Sequence, residues 1–266
     1  MGGSGKTPAC GLVANRCRRV GRVAVASRSY RGSAKVTHKV HADWEYSGDE
    51  AVLLNLLTDD DVTIFAGPRL ADVAAVAGRH ADIVIVDSGL STPGLRRTAS
   101  VITLSDTPLN GIFPSGPLRQ PLSTLDEGSI IWATDGTLAA GPVQPAIRSV
   151  RFISNVHCAR DGALGLAWLQ GRTVDVVCGI ARPASFVRLL EQQGARVQNV
   201  LSCLDHRSPS RRRLAKFYGD RPVVTTAKDY VRWPAGFPVV RIDIELRIIE
   251  GQHVLEGLIE GAIDVL

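Results

Sequence analysis

Long apolar runs are missing from this chain of 266 residues, and the longest stretches, such as Asp82 to Val86 and Thr173 to Ile180, are strand-sized and interrupted by charge. A membrane span needs about 20 consecutive apolar residues, so no transmembrane helix is expected, and no signal peptide is visible. Cysteine is sparse and unpaired in pattern. Cys10, Cys17, Cys158, Cys178 and Cys203 are odd in number and contain no C-x-x-C pair, which argues against a disulfide framework or a zinc site and for a reducing, cytosolic compartment. Lysine is scarce too, with only Lys6, Lys35, Lys39, Lys216 and Lys228 among 31 basic residues. The remainder are arginines, whose forks suit phosphate oxygens, although a genome rich in GC would give the same bias. One dense basic run exists, Arg211 to Arg213, and it has no interleaved aromatics, so nucleic acid is not expected as a partner. With 45% hydrophobic and 21% charged residues, what is there is globular composition, enough for one large or two modest domains.

Short runs rich in Val and Ile alternate with helical periodicity, the pattern of a mostly parallel sheet covered on both faces. Strands are predicted at 22–27, 62–66, 82–87, 100–105 and 129–134, with helices at 7–19, 49–57 and 69–79. The Gly- and Pro-bearing stretch 135–146 reads as a connection, dividing the chain into units of 1–145 and 146–266. The second unit has predicted strands at 173–180, 196–203, 222–226 and 239–244 and helices at 184–194, 209–218 and 250–263. Residues 28–47 form a long polar loop carrying Tyr30, Trp44 and Tyr46, a length usual for functional segments.

Three constellations carry chemistry. Gly2-Gly3-Ser4-Gly5-Lys6-Thr7 is the second half of a phosphate-binding loop running into a helix, with Pro8 suited to the first turn. Glycines let backbone N–H groups close on phosphate oxygens, a Lys ammonium reaches the β- and γ-phosphates, and a Thr hydroxyl binds Mg²⁺. The strand that normally delivers such a loop is not in the sequence; a late start, a truncation and a decayed protein all fit that observation. Asp87 closes a buried strand, where a Walker B carboxylate would hold the metal, although an acid there also serves as a plain helix cap. Asp49 and Glu50 open a helix, either as dipole partners or as carboxylates facing a transferred phosphate, and His206 follows Asp205 after a strand as a surface residue or a catalyst.

Taken together, these residues resemble the tetraacyldisaccharide 4'-kinases of lipid A biosynthesis over nearly the whole chain. GGSGKTP at 2–8 is similar to the family's G-G-T-G-K-T-P, SGDEAVLL at 47–54 to V-G-D-E-P-L-L-L, and DIVIVDSGL at 82–90 to the strand ending D-D-G-L-Q-H. NGIFPSGPLRQPLSTL at 110–125 is the most specific, matching N-G-x-L-P-A-G-P-L-R-E-P-L-S-x-L, and CGIARPASF, LDHR and TTAKD extend the match into the second half. The resemblance implies two Rossmann-like α/β/α domains, the first of phosphate-loop NTPase type, with the active site in the cleft between them. It implies transfer of the γ-phosphoryl of ATP to the 4'-hydroxyl of the disaccharide 1-phosphate, at the cytoplasmic face of the inner membrane, with a membrane glycolipid as partner. Carried over by position, Gly2, Gly3, Ser4, Gly5, Lys6 and Thr7 bind ATP. Thr7, Asp87 and Glu50 hold Mg²⁺, Asp49 with His206 accepts the hydroxyl proton, and Arg119 and Asn110 meet the substrate. The chain departs from the family pattern at Ser88, Ser91, Thr92, Gln120, Arg182, Arg207 and Ala227, where the family has Asp, Gln, His, Glu, Asn, His and Glu. Fewer carboxylates near the metal leave room for the alternative of a catalytically impaired descendant that binds nucleotide or glycolipid.

Overall fold

The computed structural model describes residues 4–105, 111–112, 115–116, 121, 125, 128–135, 144–158, 161–204, 207 and 209–261. The elements in chain order begin with α1 (Lys6–Cys17), β1 (Val23–Arg28), β2 (His38–Lys39), α2 (Trp44–Ser47), α3 (Asp49–Leu57), β3 (Thr63–Gly67), α4 (Leu70–Ala77) and β4 (Ile83–Val86). They continue with β5 (Ser100–Leu104), β6 (Ser129–Ala133), β7 (Ile147–Cys158), β8 (Gly162–Ala163), β9 (Thr173–Cys178), α5 (Pro183–Gln192) and β10 (Arg196–Ser202). The last are α6 (Arg211–Phe217), β11 (Val223–Thr226), α7 (Ala227–Tyr230), β12 (Val240–Glu250) and α8 (Gln252–Gly261). This is α/β architecture with parallel sheets, as the periodicity predicts.

Two sheets form. The first has the order β2-β3-β1-β4, with β1 parallel to both β3 and β4 and the short β2 antiparallel to β3. β1 is buried from Val23 to Ser27 because α1 and α3 cover one face and α4 the other, which is why it reads as a continuous apolar run rather than an alternation. The second sheet runs β10-β9-β11-β12-β7-β6-β5, with β8 paired to β7. β12 and β7 are antiparallel over most of their length; β5, β6 and β7 are parallel neighbours. Strands β5 and β6 therefore join the sheet of the second half of the chain. Likewise Leu255 and Ile259 of α8 pack with Ala9, Ala14 and Leu54 in the core of the first half.

Several elements differ from expectation. The segment 28–47 is not all loop: β2 lies against β3, and Asp43 caps α2 by accepting from the Tyr46 N–H at 3.1 Å. β7 was not predicted, and β12 continues to Glu250, so the last helix opens at Gln252. Among the described residues β4 and β5 each end their sheet, and an apolar groove of about 350 Å³ lies between them beneath α1 and α8.

Candidate functional site

The half-motif lies at the start of α1. Gly5 takes the left-handed conformation (φ 74°) as the residue before α1, and a Cβ there would lie 2.9 Å from the Thr134 side chain, so only glycine fits. The Thr134 hydroxyl, just past β6, donates to the Ser4 carbonyl at 3.0 Å and anchors the loop to the second sheet. No side chain caps the start of α1 and no acid lies in its first turn, so the helix dipole and the first N–H groups remain available to an anion. Ser4, Lys6 and Thr7 open onto a cavity of about 680 Å³, whose far wall includes Arg151, Arg182 and Ile244 from the second half of the chain. Gly2 and Gly3 lie outside the described residues.

Asp87 follows β4 and lines the same cavity as Lys6 and Glu50. Burial raises its carboxyl from the usual range to about 6, the Glu50 charge adds to the rise, and Lys6 and the Ser88 hydroxyl oppose it. Ser88 itself stands in the left-handed region (φ 63°), which costs a non-glycine residue energy and directs the chain sharply off the strand. A divalent cation would favour the ionised form of this crowded carboxylate pair. Mg²⁺ needs only one or two protein carboxylates, completing its shell with water and phosphate oxygens, so Asp87, Glu50 and the Thr7 hydroxyl fit it. No cluster of three metal-ligating side chains occurs among the described residues.

The raised Asp87 carboxyl makes a pH prediction. The folded chain holds this proton more tightly than the unfolded chain, so stability falls as pH rises from about 4 to about 6. The integrated loss is about 3 kcal/mol. Urea unfolding of the ligand-free protein across that range should show a slope that Asp87→Asn removes; parallel curves for the two proteins would refute it.

Asp49, the first residue of α3, is 3% exposed. Gly48 before it adopts φ 88° with the Tyr30 backbone closer than 3 Å to where a Cβ would stand, so the entry to the helix is sterically closed to other residues. The Asp49 carboxylate is not in the cavity wall, whereas Glu50 is. Asp49 instead meets Arg232 Nε at 3.3 Å, and Arg232 Nη2 donates to Asp229 at 3.0 Å. Asp229 also accepts from the Gly179 N–H and the Thr226 hydroxyl, each at 2.9 Å. This buried chain of contacts links the start of α3 to the loop after β9 and to α7. Arg232 carries no motif and escaped the sequence reading, as did Thr134 and Arg151. His206, Arg119 and Asn110 lie outside the described residues.

A profile described as "LpxK: Tetraacyldisaccharide-1-P 4'-kinase" matches residues 1–263. The chain belongs to that family. A tetraacyldisaccharide 4'-kinase of Anaeromyxobacter dehalogenans (strain 2CP-1) is 34% identical over 99% of this chain and 79% of its own length. One from Methylobacterium sp. (strain 4-46) is 33% identical over 93% and 78%. The fold is also that of LpxK from Aquifex aeolicus, solved in complex with ATP, with a TM-score of 0.79 at 21% identity over 99% of this chain and 85% of that one. The cavity that Ser4, Lys6 and Thr7 line at the start of α1 is the candidate site in this member of the family. No helix among the described residues is long and apolar enough to cross a membrane.

Proposed function

We propose that the chain transfers the γ-phosphoryl of ATP to the 4'-hydroxyl of the tetraacyldisaccharide 1-phosphate precursor of lipid A. The observation that carries this reading is the convergence of Ser4, Gly5, Lys6 and Thr7 at the open start of α1 with Asp87 and Glu50 in one cavity, in a chain of this family. Gly2 and Gly3 would complete the loop around the phosphates. Lys6 neutralises phosphate oxygens, while the N–H groups at the start of α1 supply fixed dipoles. Thr7, Asp87 and Glu50 would hold Mg²⁺, which when bound supplies charge neutralisation on the phosphates. In the closed enzyme Asp49, assisted by His206, takes the proton of the attacking hydroxyl, and Arg119 and Asn110 contact the substrate. The two sheets would form the cores of two lobes around the cleft, with closure excluding water. Since β5 and β6 join the second sheet and α8 packs in the first core, these lobes would not divide at residue 145, as the units 1–145 and 146–266 would have it. The glycolipid acceptor places the protein at the inner face of the inner membrane as a peripheral enzyme.

Transfer of labelled phosphate from ATP to the tetraacyldisaccharide 1-phosphate tests the reading. Lys6→Ala should lower turnover by about 10²-fold or more, because a preorganised charge on the transferring group is lost. Unchanged turnover would remove Lys6 from the site. Nucleotide binding without any transfer by the unaltered chain would favour the catalytically impaired alternative, to which the serine at position 88 lends support.

A further inference from the structure

We propose that Arg182 and Arg151 form an arginine pair, delivered by the second half of the chain, that contacts the phosphoryl group in flight. The proposal rests on the kinase reading above and adds two residues to it. Thr134 carries the argument. Its hydroxyl donates to the Ser4 carbonyl of the phosphate loop at 3.0 Å, and the next residue, Asp135, receives both arginines. Arg151 of β7 meets Asp135 at 2.7 Å through Nε and 3.4 Å through Nη2. Arg182, the residue before α5, reaches Asp135 through Nη1 at 3.4 Å and the Ser105 hydroxyl through Nη2 at 3.4 Å. Both guanidinium groups line the cavity that Lys6 lines.

Asp135 joins the two guanidiniums beside the candidate phosphate loop. Among the described lining residues the charges are lopsided, with Lys6, Arg28, Lys228 and the two arginines against Glu50 and Asp87. That imbalance suits a polyanion. Arg182 meets Asp135 at 3.4 Å against 2.7 Å for Arg151 Nε, so it is the one placed to exchange Asp135 for a phosphate oxygen, while Arg151 keeps Asp135 in position. A planar fork matches the equatorial oxygens of a phosphoryl group better than an ammonium does. In the transfer, the acceptor oxygen bonds to the γ-phosphorus and the bond from that phosphorus to the β–γ bridging oxygen breaks. ADP leaves with the bonding electrons, the hydroxyl proton passes to the base, and the arginines neutralise charge on the phosphoryl oxygens.

Nucleotide and acceptor both carry phosphate, and titration calorimetry on the full chain separates them. The unaltered protein should bind ADP more tightly when fluoroaluminate, a mimic of the transferring group, is present with Mg²⁺. Arg182→Ala should lose about 10²- to 10³-fold of that enhancement while its affinity for ADP alone is kept. Arg182→Lys should recover only part. Asp135→Asn breaks the same ion pairs but leaves both guanidiniums, so it should lose far less than Arg182→Ala. Equal losses in those two variants would mean a structural ion pair and overturn the proposal. So would an Arg182→Ala protein that keeps the full enhancement, or one that loses affinity only for the disaccharide 1-phosphate. Failure of the unaltered chain to bind ADP at all would overturn the nucleotide reading itself, a result distinct from any of these.

Discussion

Arg232→Ala should destabilise the protein by about 3–5 kcal/mol, the range for removing one partner of a buried ion pair. Arg232 is 2% exposed and lies between two carboxylates that are buried as deeply, Asp49 and Asp229. Its removal leaves both charges in a low-dielectric interior. Asp229 keeps its hydrogen bonds from Gly179 and Thr226, while both carboxylates lose the guanidinium that lies between them. Denaturant unfolding of the two proteins measures it directly through the midpoint at constant m. Because deleting a whole ion pair is often near neutral whereas deleting half is costly, Asp49→Asn combined with Arg232→Met should recover part of the stability lost in Arg232→Ala. A loss below about 1 kcal/mol in the single variant would place the arginine among ordinary surface pairs and contradict its burial.

How much of this was legible in the sequence depended on how local the cause was. β1 shows as a continuous apolar run because a parallel strand covered on both faces is apolar, while β4 and β9 show through their Val and Ile content although β4 is only partly buried and β9 carries the buried Asp175. β7 hid because its inward positions are mixed. Ser149 is fully buried there, satisfied by the Trp132 indole N–H at 2.8 Å, and this polar residue breaks the alternation that would reveal a strand. β2 is two residues long and exists only because β3 offers an edge. The membership of β5 and β6 in the second sheet follows from β6 pairing with β7 and β5 with β6, a choice of sheet edge that no local pattern records. At the candidate site, Lys6, Thr7 and Asp87 stood out because each falls in a short motif, and the fold brings all three to one cavity. Arg232 was not, since an arginine between Val231 and Trp233 looks like a surface loop until the fold brings Asp49 to it. Glu50 and Asp49 were indistinguishable as neighbours in a first helical turn. The helix turns Glu50 to the cavity and Asp49 to Arg232.

That separation shapes the largest kinetic expectation. If Asp49 accepts the hydroxyl proton, Asp49→Asn should lower kcat by about 10²- to 10⁴-fold while ATP affinity is unchanged, because general base catalysis acts on the transition state and not on nucleotide binding. His206→Ala should do the same, and the double variant should cost little more than the worse single change, since members of a catalytic unit are not additive. The ion pair with Arg232 offers a second origin for any loss at Asp49, and the two origins respond differently. A purely structural aspartate would lose stability in Asp49→Asn, keep its kcat at temperatures well below the unfolding midpoint, and regain stability when Arg232→Met is added. A base would stay inactive in that double variant however stable it became. For Asp49 to act, its carboxylate must exchange Arg232 for the acceptor hydroxyl, so closure of the cleft has to loosen a contact that lies at 3.3 Å in the present arrangement. Arg232→Lys, which keeps the charge but loses the fork that joins Asp49 to Asp229, should therefore change kcat more than it changes the KM for ATP. Equal changes in both constants would tie Arg232 to nucleotide binding and leave Asp49 without a positioning partner.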